Sequence, residues 1–157
     1  MILFDTEQYI DSLLSVLQEG QEVPLLIVGH SMEPFLIHER DMVLLSPTHS
    51  GIKKGDIVLF RRKDGQYILH RIYKIKGDDV YSVGDNQNLC DIEGPMKKEQ
   101  ICAVACRAKR HGVEICEKNL IWRFFQREWL WTIRWRPLMK KILTVLSSCS
   151  HETFRRK

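Results

Sequence analysis

A mainly β fold, with a helix before it and amphipathic helices after it, is what this chain of 157 residues predicts. Three observations carry that expectation. Short runs rich in β-branched and aromatic residues fill the middle of the chain from Val23 to about Ile115, the segment before them spaces its apolar residues as a helix does, and the segment after them does so again with arginines interleaved. The length supports one respectable core rather than two domains of typical size. The divisions 1–22 (N-terminal helix), 23–117 (β-rich core) and 118–157 (basic, aromatic helical tail) are therefore read as one domain with appendages.

The first helix is expected from Thr6 to Glu19. Asp5 or Thr6 would cap it, Tyr9, Ile10, Leu13, Leu14 and Leu17 would form its apolar stripe, and Gly20 would end it. Strands are expected at Leu25–Val28, Met42–Leu45, Ile57–Arg61, Tyr67–Ile75, Val80–Val83 and Ile101–Ala108. Lys63-Asp64-Gly65-Gln66 and Lys76-Gly77-Asp78-Asp79 read as hairpin connections. Asp41 and Asp56 mark the beginnings of strands, with Gly55 allowing a turn. In the tail, Asn119–Trp135 reads as a helix, and Pro137 starts a second over Leu138–Leu146, because proline is favoured in a first turn.

The charge is unevenly spread. Residues 118–157 carry ten Lys/Arg against Glu128 and Glu152, whereas residues 1–117 carry fourteen against eighteen Asp/Glu. On a helix, Arg123, Arg127 and Arg134 fall within ~40° of one another beside a broad apolar surface, the pattern of an interfacial helix on anionic lipid through residues 119–146. The recurring arginines leave no run of the ~20 apolar residues that a span requires. The competing reading packs Trp122, Phe125, Trp129 and Ile133 onto the β core or onto a second subunit, so a homo-oligomer stays open. No nucleic-acid reader motif accompanies the basic tail, and nucleic acid is not assigned as a partner.

Chemistry concentrates in Gly29-His30-Ser31-Met32-Glu33-Pro34, followed by Leu69-His70-Arg71-Ile72 and Gly84-Asp85-Asn86. A serine hydroxyl is a poor nucleophile until a neighbouring base takes its proton, and His70 supplies one. The nucleophile elbow of α/β-hydrolases is excluded, since Glu33 stands where that turn needs glycine and the acids follow His70. On a strand, His70 shares an apolar face with Ile68 and Ile72. Desolvation there lowers its pKa and keeps it a neutral base, while a nearby aspartate opposes that shift. The bland alternatives are a satisfied core histidine and a serine that merely opens a turn whose Pro34 fixes φ.

Taken together, GHSMEPFL, Asp41-Met42-Val43, Gly55-Asp56-Ile57-Val58, LHRI and GDNQNLCD resemble the signal peptidase I family of the S24/S26 serine peptidase superfamily, over Leu25 to about Arg107. Histidine in place of the bacterial lysine makes the chain look like the archaeal and endoplasmic-reticulum branch. The resemblance implies a signal-peptidase or repressor-protease-like β core. It further implies Ser31 as nucleophile, His70 as general base and Asp91 as the acid orienting that base, with Asp85 the second choice. Gly29 departs from the lysine-type pattern, in which a serine there often completes the oxyanion hole; the Ser31 N–H is then the inherited donor. Shallow pockets for small side chains at the first and third positions before the cut are implied too, with Met32 lining one.

No cofactor or metal is assigned: His30, His38 and His49 lack ligand spacing, and Cys102 and Cys106 form no C-x-x-C pair. Met1–Gly20 is amphipathic and acidic, without the basic and apolar regions of an export signal. Five cysteines, an odd number, point mildly to a reducing compartment, so the expected location is cytoplasmic and peripheral to the inner membrane surface. The leading function is a serine endopeptidase acting on a leader-bearing or signal-like peptide. Behind it stand a self-cleaving repressor-type regulator, for which Ala103-Val104-Ala105 is a small-x-small candidate, and a catalytically inactive peptide-binding or membrane-attached module.

Overall fold

The structure is a computed structural model that describes residues 6–48 and 51–138. Its described strands, β1 (Val23–Leu26), β2 (Met42–Ser46), β3 (Ile57–Arg61), β4 (Tyr67–Lys76), β5 (Asp79–Val83), β6 (Glu93–Lys97), β7 (Ile101–Arg110) and β8 (Val113–Cys116), form one sheet, with helix α1 (Thr6–Gln18) before it and α2 (Leu120–Trp131) after it. The sheet order is β1-β2-β7-β3-β4-β5-β6, every pair antiparallel, and β8 lies beside the end of β7. The expected mainly β fold with flanking helices is what the chain adopts.

Helix α1 buries Ile10 and Leu17, and the Gly20 N–H closes its last turn on the Leu17 carbonyl at 2.9 Å. Asp5 and most of the expected helix Leu138–Leu146 lie outside the described residues. Strand β3 has the expected bounds, while β4 and β7 run longer than expected. Two strands were not expected. In β6, Gly94 and Pro95 mask the strand pattern; they sit where the register slips between Val80 and Ser82, on an edge strand where a missing N–H is tolerated. Strand β8 follows a two-residue turn in which His111 (φ 48°) and Gly112 (φ 84°) both take positive φ, the geometry that matches the twist of a hairpin.

Alternation along the strands splits the core. Val43, Leu45, Ile57, Leu59, Ala103 and Ala105 face one side, where Ile10 and Leu17 of α1 and Trp122 and Phe125 of α2 cover them. Val58, Phe60, Ile72, Val80, Met96 and Ile101 form a second cluster. Ala103-Val104-Ala105, the candidate cleavage triplet, is thus part of β7 and paired on both edges. Ala103 is 0 % and Ala105 5 % exposed, so ordinary β core is the correct reading of it.

The inner face of α2 is core as well. Asn119 caps the helix by accepting the Ile121 N–H at 2.9 Å. The Phe125 ring lies 4.8 Å from Phe35 and 5.1 Å from Trp129. Helix α2 seats on Gly55, where a Cβ would lie 2.2 Å from the Gln126 carbonyl oxygen, and the Gln126 amide donates to Asp56 at 3.2 Å. Gly55→Ala therefore has to displace helix backbone as well as strain a positive φ. It should lower the unfolding free energy by at least ~2 kcal/mol, read as a shift in the urea midpoint. An unchanged midpoint would mean that α2 is not seated there.

Candidate functional site

Ser31 lies in the turn after β1, and its position is set by the loop after β5. The Asn86 N–H donates to the Ser31 carbonyl at 2.7 Å, and the Asn86 side-chain amide donates to the His30 carbonyl at 3.0 Å. Gly84 comes so close that a Cβ there would lie 2.5 Å from the Ser31 carbonyl oxygen and 3.0 Å from the Ser31 Cβ. The glycine of Gly84-Asp85-Asn86 is thus required by the close approach of Ser31.

That loop is gripped from both sides. From within the sheet, Arg71 of β4 donates to both Asp85 carboxylate oxygens, at 2.8 and 2.7 Å, with both side chains 1 % exposed. From the C-terminal side, the Trp129 indole N–H donates to the Asp85 carbonyl at 3.0 Å. Arg136, 2 % exposed, donates to the carbonyls of Gly84 (3.1 Å), Gln87 (2.8 Å) and Trp129 (3.0 Å). Neither Arg71 nor Arg136 had been assigned a role from the sequence. Arg136 read as one more tail charge, and nothing in its local pattern distinguishes a buried arginine from a solvated one.

His70 projects from β4 opposite Val58, on the face shared with Ile68 and Ile72 as the alternation requires, and is 3 % exposed. Its pKa is pushed down to about 4, mainly by burial. Arg62 adds to that shift, while Glu93 and Asp85 oppose it. At neutral pH the imidazole is uncharged and able to accept a proton.

The carboxylate nearest this histidine is neither Asp91 nor Asp85. Among the described residues Glu93 alone brings a carboxylate within 4.0 Å of a His70 nitrogen, with Oε1 3.4 Å from Nδ1. Alignment is short of a hydrogen bond, so Nδ1 stays a buried nitrogen without a formed bond. Asp91, expected to orient His70, is exposed, and its carboxylate accepts the Asn88 N–H at 2.8 Å within the turn Leu89–Asp91. Asp85, the second choice, is engaged by Arg71. Glu93 in turn accepts from Arg62 Nε at 2.7 Å and from its other arm.

Ser31 and His70 line one cleft of about 670 Å³, without a direct hydrogen bond joining them. Leu25 and Ile27 flank it on one side, Leu59, Tyr67 and Leu69 on the other, with Ile10 of α1 and Met32 completing an apolar wall. Strands β1 and β4 are four places apart in the sheet order yet share this cleft, so the sheet curls around it. The Tyr67 hydroxyl bonds the Asp11 carboxylate at 2.5 Å and ties α1 to the rim. Gly29 has φ 98°, a conformation that a serine would adopt only with strain, and its N–H donates to His38 Nδ1 at 3.1 Å. His30 is occupied with Glu33, 2.8 Å away. Among the described residues no group of three or more His, Cys, Asp and Glu is placed to hold a metal ion, and no helix is long and apolar enough to cross a membrane.

A model of the family described as Peptidase S24-like matches residues 3–106. That span includes Ser31, His70, Asp85, Asp91 and Glu93 and stops before α2. A comparison with curated proteins finds no match.

The depressed pKa of His70 makes a stability prediction independent of any activity. Between about pH 4 and the ordinary value of 6.5, the unfolded chain binds a proton at this position that the folded one refuses. The stability gained by keeping His70 neutral is therefore complete above pH 6.5 and is lost as pH falls towards 4. The difference between the parent and His70→Gln in urea unfolding should change by up to ~3 kcal/mol across that window. A difference that does not vary with pH would place His70 in solvent contact.

Proposed function

The chain belongs to the Peptidase S24-like family, and from that premise we propose that it is a serine endopeptidase of signal-peptidase type cleaving an extended, leader-like or signal-like peptide, with Ser31 as nucleophile and His70 as general base. The observation that carries this reading is the shared cleft: a serine held by its backbone and a buried, neutral histidine open on one apolar groove.

In the proposed mechanism Ser31 Oγ attacks the scissile carbonyl carbon while His70 takes its proton. The resulting imidazolium then gives that proton to the leaving amine, and water, deprotonated by the same histidine, releases the acyl group. Glu93 stands beside Nδ1 and favours the tautomer carrying hydrogen there, which leaves Nε2 as the acceptor. The role expected of Asp91 passes to Glu93 on this reading. Because the Gly29 N–H is donated to His38, the Ser31 N–H is the donor proposed for the oxyanion. The apolar lining suits a hydrophobic stretch of substrate, and Met32, 2 % exposed, borders the place proposed for a small side chain before the cut.

Mapping cleavage of a peptide library by mass spectrometry tests the proposal. Ser31→Ala should abolish cleavage with folding intact. His70→Ala should be nearly as damaging and the double variant little worse than either, because the two act as a unit. Full turnover by Ser31→Ala removes the assignment, and binding of the same peptides without cleavage by the parent would identify an inactive peptide-binding module.

Two further variants rank the supporting groups. Glu93→Gln should cost more of kcat than Asp91→Asn; the reverse order returns the orienting role to Asp91. Gly84→Ala should lower kcat by roughly 10²-fold, since it displaces the nucleophile by a fraction of an ångström to an ångström. An active Gly84→Ala would show that the contact with Ser31 has no bearing on turnover.

A further inference from the structure

Helix α2 is apolar on two opposite faces, and only one of them is used by the fold. Trp122, Phe125 and Trp129 point inward, while Leu120, Phe124 and Trp131 fall within ~40° of one another on the far side, at helical spacing. They are 77 %, 46 % and 80 % exposed, and Trp135 (64 %) and Leu138 (52 %) extend the exposed apolar surface beyond the helix. Arg123, Arg127 and Arg134 are exposed beside them. A segment whose inner face already anchors it has no folding reason to carry Trp131 and Trp135 in water.

We propose that this outer face of α2, continued through Trp135 and Leu138, docks on an anionic membrane surface. Charge decides the occupant. The exposed charges along this surface are Lys118, Arg123, Arg127 and Arg134 against Glu128, so a second copy docked by the same face would bring like charge against like, whereas a surface of anionic headgroups is complementary. The side-chain chemistry agrees with the charge. Tryptophan places an apolar ring in the acyl boundary and its N–H among headgroups, and arginine buries its stem while its guanidinium reaches phosphate. Since the inner face stays packed, docking requires no unfolding of the helix from the core, and the outer face of α2 contributes no residue to the cleft of Ser31 and His70. This refines the interfacial helix expected from the sequence: Trp122, Phe125 and Ile133 are committed to the core, and the lipid-facing set is Leu120, Phe124, Trp131, Trp135 and Leu138.

The test uses the full chain and co-sedimentation with vesicles of phosphatidylcholine alone or with roughly one-third phosphatidylglycerol. The parent should bind the anionic vesicles and not the neutral ones, and binding should weaken as salt is raised from ~0.1 M to ~1 M. Trp131→Ser combined with Trp135→Ser, and separately Arg123→Gln combined with Arg127→Gln, should each reduce binding by about tenfold or more, since each removes one half of the interaction. All four positions are exposed, so circular dichroism of both variants should match the parent. Absence of binding by the parent, or binding by both variants equal to the parent's, overturns the proposal. A parent that is dimeric in solution and becomes monomeric in the tryptophan variant overturns it in favour of a second copy.

Discussion

The buried pair Arg71–Asp85 is the constraint on which the site depends. Taking both charges out of water is costly, and the cost is offset only if the geometry is good and the remaining donors are satisfied. Here the geometry is good and each guanidinium nitrogen has a partner. The fork is bidentate, a further guanidinium N–H reaches the Gly55 carbonyl at 2.8 Å, and the planar group lies 5.1 Å from the Phe35 ring centre. These contacts join four segments far apart in the chain: the strand carrying His70, the loop behind Ser31, the turn on which α2 seats, and the stretch just after Ser31. Asp85 is therefore a structural acid. Its negative charge still reaches His70 through space and opposes the burial that lowers the histidine's pKa, but both its oxygens are bonded to Arg71.

The loop Gly84–Gln87 transmits these constraints to Ser31. Arg71 fixes its side chain from within the sheet, and Trp129 and Arg136 fix three of its carbonyls from the C-terminal side. Ser31 rests on Gly84 and takes the Asn86 N–H. Arg136 is the less expected support, because it lies beyond residues 3–106, the span shared with the family. The buried guanidinium satisfies the Gln87 carbonyl and adds a second bond to the Gly84 carbonyl, which already accepts the Gln87 N–H at 3.1 Å. The C-terminal helix is consequently part of what holds the family motif in place, and its inner aromatic face and Arg136 act together: the guanidinium lies 5.0 Å from the Trp129 ring centre.

How much of this was legible in the sequence depends on the kind of information each feature needs. Alternation put His70 on the face of Ile68 and Ile72, and helical spacing located α1 to within a residue, because local geometry fixes both. The carboxylate nearest His70 was not legible. Which side chain of Asp91-Ile92-Glu93 approaches His70 depends on the register slip between β5 and β6, which sets Ser82 opposite Glu93 and leaves Asp91 in the preceding turn. No pattern within one strand encodes a pairing across two. The tail shows a third limit. Its periodicity was plain, but with apolar residues on both faces a hydrophobic pattern does not say which side meets the core, and only the contacts of Phe35 and Gly55 with α2 decide it.

The same geometry bears on how a histidine with a pKa near 4 would serve as a base. In the free protein it is uncharged and ready, but it is intrinsically weak, and a base works best when its pKa lies near the working pH. Glu93 could correct this, yet its carboxylate is shared with Arg62, whose charge opposes protonation of His70. What raises the pKa in the proposed reaction is the reaction itself: as the oxyanion forms in a cleft of low dielectric constant, the imidazolium gains a negative neighbour that the resting site does not provide. The gap between Nδ1 and Glu93, at 3.4 Å, is also small enough to close into a charge-assisted bond once the ring carries hydrogen on both nitrogens. On that proposal the buried histidine, the carboxylate it shares with Arg62 and the apolar cleft are parts of one arrangement, in which positive charge on His70 would stay disfavoured until attack by Ser31 begins.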